Sequence, residues 1–436
     1  MTLPIGRYRI RHAPGNNLRS FIFLLLTWAL IAQAQSPAPD LTRLNLSEAD
    51  ALLVQKNREL QTARRAVEAA EAQTLSAGQR PNPNLSLSTV NINPNRGIGS
   101  GALRDKTVDT TLRLDQLIER GNKRELRVAT AKQLQAASGE DLADMLRQQR
   151  LALRGSYYEL ALAQDKLAIS AETAELFQRT LAAAELRLKA GDIASSDVAR
   201  IRVDALRAQN DARAVEADRR RAQLALAYLI GVEQGADALK AADPWPAPQT
   251  AATIDMEPLL ERRPDVRAAR ARIEAAKEAR ALARSLRTRD VSVGVQFEHF
   301  PDNFGNAANS YGLALSVPLF TRYHYEGEIA QAETAYNAAA DNLERTRALA
   351  RAEIARALSD VTAAAERLAR FRDGMLAEAK KSADAAEFAY KNGAIGVMDL
   401  LDARRTLRAI QLDAAAAQAD HAKALAAWQS GLGALQ

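Results

Sequence analysis

Apolar residues recur at helical spacing over two very long stretches of this sequence. The first series comprises Leu142, Leu146, Leu153, Tyr157, Leu160 and Leu167, and the second comprises Ile329, Ala332, Tyr336, Ala339, Leu343, Ala350, Ile354, Leu358 and Val361. Steps of three, four and seven residues are typical of helices that pack as in coiled coils. Extra steps of four, such as Leu153 to Tyr157, locally unwind a left-handed supercoil. The pattern therefore predicts long, rather straight helices.

The positions of proline set the lengths of these helices. No proline occurs between Pro94 and Pro244 or after Pro318, and a proline inside a helix costs about 3 kcal/mol. The two long helices are predicted over residues 122–190 and 326–392, which gives each a length of about 100 Å at 1.5 Å per residue. Shorter helices of about 50 Å each are predicted near residues 48–79, 196–230, 255–287 and 397–430.

Short segments that alternate between apolar and polar residues interrupt the helical pattern. They are predicted as strands over about residues 84–92, 107–115, 290–298 and 310–318. In the second segment, Val108, Thr110, Leu112 and Leu114 alternate with Asp109, Thr111, Arg113 and Asp115. Alternation over about ten residues fits a transmembrane strand. A half-buried soluble sheet gives the same pattern, and alternation alone favours that alternative.

The second half of the chain repeats the first. At an offset of 202 residues, Glu185, Lys189, Gly191, Ile193 and Asp197 recur as Glu387, Lys391, Gly393, Ile395 and Asp399. Such self-similarity indicates a tandem duplication. We assign the first repeat to residues 35–231 and the second to residues 259–436, joined over residues 232–258 by a linker that contains Pro244-Trp245-Pro246.

The N-terminus has the features of a secretory signal peptide over residues 1–34. Four arginines precede an apolar run over residues 21–31, which ends in Ala32-Gln33-Ala34. Residues 1–39 contain these four arginines and no acidic residue. The formal net charge of +6 for the whole chain therefore becomes +2 for the residues after 39. The high isoelectric point therefore belongs largely to the signal peptide, and a nucleic-acid partner is not expected.

The sequence offers no catalytic, cofactor-binding or metal site, and we expect no enzyme activity and no cofactor. There is no cysteine, which excludes thiolate metal sites and a lipid-modified cysteine. His12, His299, His324 and His421 have no ligand spacing. No nucleotide-binding loop and no set of nucleophile, base and acid is visible, so a hydrolase is disfavoured.

The signal peptide and the helix lengths together favour transmembrane strands over a soluble sheet. Four strands cannot close a barrel in lipid, because even a barrel filled with side chains takes about eight, and an open edge cannot face lipid. Several copies of the chain must then share one barrel. Helices of about 100 Å exceed the thickness of a bilayer, so the sequence predicts a tube that crosses the periplasm.

The chain resembles the TolC-like outer-membrane efflux proteins. Each repeat has the order helix, strand, strand, helix, helix; the first opens with Asn57-Arg58-Glu59-Leu60, and Pro81-Asn82-Pro83 leads into its first strand. The resemblance implies a mainly α fold with a small β part: a homotrimer with a shared 12-stranded barrel in the outer-membrane lipid and a periplasmic α-barrel. It also implies two partners, a periplasmic adaptor (membrane fusion) protein and an inner-membrane pump of the resistance-nodulation-division type.

Further motifs resemble the outer-membrane components of cobalt-zinc-cadmium efflux systems. They are the run from Gln116 to Arg127, Pro301-Asp302-Asn303 and Val317-Pro318-Leu319-Phe320, with Asn122 where a second glycine is expected. This resemblance implies heavy-metal cations as cargo. Drugs, other small molecules or a secreted protein are alternative cargoes, and a soluble periplasmic coiled-coil scaffold is an alternative of another class.

Each long helix ends at a glycine suited to a left-handed cap, in Gly191-Asp192-Ile193 and Gly393-Ala394-Ile395. A chain reversal is the minimum that these tips provide. The resemblance implies that they form the periplasmic mouth and contact the adaptor. Some relatives have arginine where this chain has Ile395, so a closing salt bridge of that kind is not expected.

Acidic residues follow both tips. Asp399 and Asp402 share a helix face at a spacing of three, and threefold repetition would place six carboxylates around one opening. The resemblance places Asp197, Asp399, Asp402 and Tyr390 at the aperture that gates the mouth. The alternative is that acids in a first helical turn stabilise the helix dipole by about 0.3–1 kcal/mol each.

Overall fold

The structure, a computed structural model, describes residues 40–92, 94–95, 101, 108–249, 255–300 and 308–433. The predicted signal peptide, His12 and the Pro301-Asp302-Asn303 motif lie outside these residues. Within them, the order helix, strand, strand, helix, helix occurs twice. The prediction of a mainly helical, duplicated fold with a small sheet is therefore confirmed.

The elements of the first repeat are α1 (Leu46–Lys56), α2 (Arg58–Ala77), β1 (Asn84–Val90), β2 (Asp109–Ile118), α3 (Lys123–Lys189) and α4 (Ser195–Ile230). Those of the second are α5 (Glu257–Arg262), α6 (Pro264–Ser285), β3 (Val291–Phe300), β4 (Ala308–Ser316), α7 (Glu326–Arg370), α8 (Leu376–Lys391) and α9 (Val397–Gly431). Short 3-10 helices cover Leu41–Arg43 and Glu233–Ala238.

The two long helices differ in continuity. Helix α3 runs for 67 residues without a break, which corresponds to about 100 Å. Its counterpart, predicted as one helix, is interrupted by a π-helical turn over Phe371–Met375 that separates α7 from α8. In this turn the backbone N–H of Leu376 donates to the carbonyl of Phe371, five residues earlier. The turn inserts one residue into the helix, so the side chains of α8 are rotated relative to those of α7.

The shorter helices break at equivalent places in the two repeats, which the sequence prediction missed. Asn57 separates α1 from α2, and Arg263, 206 residues later, separates α5 from α6. The Asn57 side chain is buried, accepts a hydrogen bond from the Leu60 N–H at 3.0 Å, and donates to the Leu229 carbonyl. Pro264 takes the first helical position of α6, where its missing N–H has no cost.

The strands form one antiparallel sheet in the order β1-β2-β3-β4. Strand β2 extends to Ile118, three residues beyond the predicted end at 115, and β3 extends to Phe300, so His299 lies within a strand rather than beside its end. The connections β1–β2 and β3–β4 lie at one end of the sheet. The four connections to helices lie at the other end.

Both alanines and larger apolar side chains fill the space between the helices. Along α6, α7 and α9, a buried cluster contains Val266, Ala350, Ile354, Val361 and Trp428. Towards the tips, α3, α4 and α9 bury another cluster, which includes Phe177, Ile201 and Leu401. Alanine at many of the buried positions allows long helices to approach closely along their whole length.

The linker between the repeats is fixed to α3. The hydroxyl of buried Tyr157 accepts hydrogen bonds from the backbone N–H groups of Ala242 and Asp243, at 3.1 and 3.0 Å, and donates to the Leu44 carbonyl. The Trp245 indole N–H donates to Asp165 at 2.9 Å. Burial raises the pKa of Tyr157 to about 12, so this hydroxyl stays neutral and keeps its donor proton at physiological pH.

Candidate functional site

The sheet has one apolar face that is exposed to the surroundings. Directly paired residues on neighbouring strands point to the same side. One side carries two apolar rows, Leu85, Leu114, Val295, Leu313 and Leu87, Leu112, Phe297, Tyr311. Leu313 and Tyr311 are 87% and 83% exposed. We call these rows the apolar sheet face.

The opposite side of the sheet is polar and forms its own interactions. Arg113 and Asp115 form an ion pair on neighbouring residues of this side, with Nε to Oδ2 at 2.7 Å. Glu298 accepts hydrogen bonds from Gln296 at 3.2 Å and from Ser310 at 3.3 Å. A soluble half-buried sheet would bury its apolar face and expose its polar one. Here the apolar face is left open, which suits a wall between lipid and an aqueous pore.

The turn between β2 and α3 contains two consecutive left-handed residues. Gly121 has φ +73° and Asn122 has φ +56°. A Cβ atom on Gly121 would lie 2.8 Å from the Cβ atom of Thr288, so a side chain there would clash as well as strain the backbone. Asn122, which occupies the position of the expected second glycine, belongs to a residue type that tolerates this conformation.

Two ion pairs stabilise the region of this turn, and one of them joins it to the connection between α6 and β3. Lys123 is buried, and its Nζ donates to the Thr288 carbonyl and to Asp290 Oδ1, both at 2.8 Å. Arg127 donates to Glu119 at 2.5 Å and 2.8 Å. The hydrogen bond from Arg127 lowers the pKa of Glu119. The motif from Gln116 to Arg127 therefore fastens the sheet to the helices. No local pattern points to Thr288 and Asp290, because their partners are about 165 residues away in the chain.

The tips at the other end of the long helices are open turns. Gly191 and Gly393 have φ +84° and +71°, and a Cβ atom on either would lie more than 4 Å from any non-adjacent side chain or loop atom of the described residues. The backbone N–H of the next residue donates back to the helix in both, from Asp192 to the Arg187 carbonyl and from Ala394 to the Ala389 carbonyl, at 2.9 Å. Asp192 and Ala394 are exposed, whereas Ile193 and Ile395 are half-buried. The predicted reversals are present, with left-handed glycines as expected.

The two hairpins touch each other near their tips. The Arg187 guanidinium donates to the Tyr390 hydroxyl at 3.1 Å and lies 5.6 Å from the centre of its ring. Arg405 donates to Asp204 of the other hairpin at 2.6 Å and to Asp402 of its own helix at 3.0 Å. Sequence reasoning named Tyr390 and Asp402 but missed these arginines. The repeat does not reveal them, because Tyr390 lies beside a residue of the other repeat.

The remaining predicted aperture acids have other roles within one chain. Asp399 lies in the first turn of α9, as the helix-dipole alternative requires, and accepts a hydrogen bond from the Gly396 N–H at 3.3 Å, so it also caps this helix. Asp197 lies in the first turn of α4 and has no ion pair among the described residues. The structure thus brings Asp402 to an arginine, places Asp399 at a helix cap, and leaves Asp197 at the start of its helix.

None of the helices in the described ranges is long and apolar enough to span a membrane. Across the same described ranges, no three side chains of His, Cys, Asp or Glu are grouped so as to hold a metal ion.

Comparison with known proteins gives consistent matches over both repeats. A family model described as outer membrane efflux protein matches residues 51–232 and 256–434. The cobalt-zinc-cadmium resistance protein CzcC of Cupriavidus metallidurans is 26% identical over 366 residues, 84% of each chain. The fold is similar to that of the outer membrane protein VceC from Vibrio cholerae, with a TM-score of 0.71, 21% identity, and coverage of 89% of this chain and 96% of that one. It is also similar to that of CusC, with a TM-score of 0.71, 19% identity, and coverage of 92% and 95%.

Proposed function

The chain belongs to the outer membrane efflux protein family, and we propose that it is the passive exit channel of a tripartite efflux system. The observation that carries this proposal is the exposed apolar sheet face backed by a polar face. Such a sheet is stable only where lipid covers one side and water the other. An exit channel in the outer membrane, with helices that extend into the periplasm, satisfies both requirements.

Closure of the barrel requires further copies of the chain. Among the described residues, strands β1 and β4 each pair with one neighbouring strand, so the outer edge of each has unpaired backbone groups. Because lipid cannot satisfy these groups, β4 of one copy pairs with β1 of the next. Three copies give a homotrimer with twelve strands, consistent with the family. A monodisperse monomer, soluble in plain buffer without detergent, would contradict this proposal and favour the periplasmic scaffold.

We propose that the tips are the docking site for a periplasmic adaptor, which links the channel to an inner-membrane pump of the resistance-nodulation-division type. Gly191, Asp192, Ile193, Gly393, Ala394 and Ile395 make up the two turns. Four of these residues are exposed, and both glycines have open space around them. A helical hairpin of a partner could therefore approach the backbone of each turn closely.

We further propose that Asp197, Tyr390, Asp399 and Asp402 gate the mouth. In this proposal, Arg187 and Arg405 hold the hairpins together through Tyr390 and Asp204, and Arg405 also pairs with Asp402 on its own helix. Opening requires these contacts to break. The carboxylates of Asp399 and Asp402 then give the mouth a preference for cations, as rings of carboxylates do in other pores.

Conductance across a planar bilayer tests this gate. Replacement of both Asp399 and Asp402 by alanine should reduce cation selectivity and weaken block by multivalent cations. A pure capping role predicts a small loss of stability with unchanged selectivity. The variant Arg187→Gln should raise the open probability without changing selectivity, which separates the contact between hairpins from the charge of the mouth.

Heavy-metal cations are the cargo that we propose. The support is the similarity to CzcC, a cobalt-zinc-cadmium resistance protein. Drugs, other small molecules and secreted proteins are the alternatives. A strain that lacks the channel should be restored to growth in cobalt, zinc or cadmium when this chain is supplied with the adaptor and pump encoded beside it. Restoration of drug tolerance without restoration of metal tolerance would show that the cargo is drugs and not metals.

A further inference from the structure

Exposed arginines surround the end of the sheet where the helices attach. Each of the four connections between helix and strand carries at least one of them. They are Arg80 between α2 and β1, Arg120 between β2 and α3, Arg287 and Arg289 between α6 and β3, and Arg322 between β4 and α7. We call this set the arginine collar.

The guanidinium groups of the arginine collar form no ion pair within 4.0 Å among the residues that the structure describes. The adjacent acids Glu119 and Asp290 pair with Arg127 and Lys123, and Arg120 reaches Asp290 only through its backbone N–H, at 2.9 Å. Arg287 donates to the His324 carbonyl at 3.2 Å, and the Arg289 guanidinium lies 5.4 Å from the centre of the Phe320 ring. Excess positive charge is therefore held at this end of the sheet.

Apolar and aromatic side chains continue the apolar sheet face into the same region. Leu319 is 74% exposed, and Ile118 and Tyr323 are about half exposed. Phe320 contacts the ring of Tyr325 at 5.3 Å. Aromatic residues at the edge of an apolar band are typical of the membrane–water interface. The arginine collar thus lies where the hydrocarbon core of a bilayer would give way to headgroups.

We propose that the arginine collar binds the phosphate headgroups of anionic phospholipids in the leaflet that faces the helices. This inference rests on the proposed function, since it requires the sheet to span the outer membrane. The guanidinium group is suited to phosphate because its planar fork donates two parallel hydrogen bonds. Basic clusters beside an apolar membrane surface recognise anionic lipids. A free phosphate ion would not account for the exposed Leu319 and Tyr323 beside the charges.

Lipid binding to the purified trimer tests the proposal. The trimer is delipidated in a neutral detergent and titrated with phosphatidylglycerol or phosphatidylcholine, and bound lipids are counted by native mass spectrometry. We expect preferential binding of phosphatidylglycerol that weakens as salt is added. The double variant Arg289→Gln with Arg322→Gln should lose affinity by about fivefold for each arginine removed. The corresponding lysine variant should retain part of the preference.

Matched controls distinguish the arginine collar from a general charge effect. Arg213 on α4 and Arg345 on α7 are exposed, have no carboxylate partner among the described residues and lie on helices. Arg213→Gln with Arg345→Gln changes the net charge by the same amount and should leave lipid binding unchanged.

Several results would overturn the proposal. They are equal binding of the two lipids, equal losses in the collar and control variants, displacement of lipid by millimolar inorganic phosphate, or a preference for lipopolysaccharide, which occupies the opposite leaflet. A trimer that forms in detergent but shows any of these results refutes the arginine collar alone. A chain that stays a soluble monomer refutes the proposed function as well.

Discussion

The two ends of α3 each adjoin a left-handed glycine, but the surroundings of the two glycines differ. At the sheet end, Gly121 lies against Thr288, and Lys123 is buried between a carbonyl and a carboxylate. At the tip, Gly191 has a similar backbone conformation but faces open space. We call the sheet end a fixed joint, because residues of the connection between α6 and β3 contact both Gly121 and Lys123. The tip is a turn whose conformation is local, and its surface remains free for a partner.

The comparison predicts that changes at the tips abolish function without loss of assembly. Gly191→Trp or Gly393→Trp should remove export while trimers of normal heat stability still form, because the bulky side chain blocks the approach of the adaptor. Metal tolerance of cells and cross-linking to the adaptor measure the two effects. Gly396→Ala is the control, since Gly396 has an ordinary φ of −74°. Unchanged tolerance in both tryptophan variants would remove the tips from the docking site.

At the sheet end, loss of a single buried charge should cost stability instead. Lys123→Met leaves Asp290 without its cationic partner, although the Arg120 N–H still donates to it, and we expect a loss of about 2 kcal/mol in the free energy of unfolding. This is less than the cost for a fully buried pair, because the Asp290 side chain is 24% exposed. Urea unfolding of the protein in detergent measures the change.

The matched control for this variant is an ion pair near the tip. Arg202 and Glu185 pair at 2.7 Å with both side chains about half exposed. Arg202→Met should therefore cost less than about 1 kcal/mol. Equal losses in the Lys123 and Arg202 variants would contradict the distinction between a fixed joint and a local turn.

A pair of glycine variants isolates the steric part of the comparison. Gly121→Ala and Gly191→Ala both place a Cβ on a left-handed residue, at about 1 kcal/mol each. Only Gly121→Ala also meets Thr288 at 2.8 Å, which should add about 1–3 kcal/mol. Thr288→Gly should recover this additional cost in the double variant. If the two single variants lose the same stability, the close approach at Gly121 has no energetic consequence.

The smallest effect that we expect is a loss of stability at acid pH. The hydrogen bond from Arg127 lowers the pKa of Glu119, and the hydrogen bond from Lys391 lowers the pKa of Glu387 near the second tip. A carboxyl group whose pKa is lowered by folding stabilises the protein above its unfolded pKa, and this contribution is lost as the pH falls through the folded pKa. Stability should therefore decrease below about pH 4.

Two variants separate these carboxyl groups. Arg127→Gln should reduce the loss of stability at acid pH more than Lys391→Gln does, because the Glu119 side chain is 16% exposed and that of Glu387 is 34% exposed. Thermal unfolding in detergent between pH 3 and 7 measures both slopes. Identical slopes in the parent and in Arg127→Gln would show that Glu119 does not contribute.

Local patterns were sufficient to predict much of this fold. The apolar spacing and the absence of proline predict α3 because a helix forms its hydrogen bonds within one segment. Alternation predicts the strands, and positive φ follows from glycine at Gly191 and Gly393. The π-helical turn at Phe371–Met375 was not predicted. It contains the poor helix formers Asp373 and Gly374, but a long helix tolerates both, and only packing decides where an extra residue is accommodated.

The sequence by itself determined the main helices and strands and where the chain reverses, because these depend on residues within a few positions of each other. It also revealed the duplication, through the similarity of its two halves, but not the helix breaks at Asn57 and Arg263 or the π-helical turn. Only the tertiary structure decided that Lys123 meets Asp290, that Arg187 meets Tyr390, and that the apolar sides of all four strands lie on one exposed face. Each of these depends on groups from distant segments, whose proximity follows from the packing of long helices and the register of the sheet.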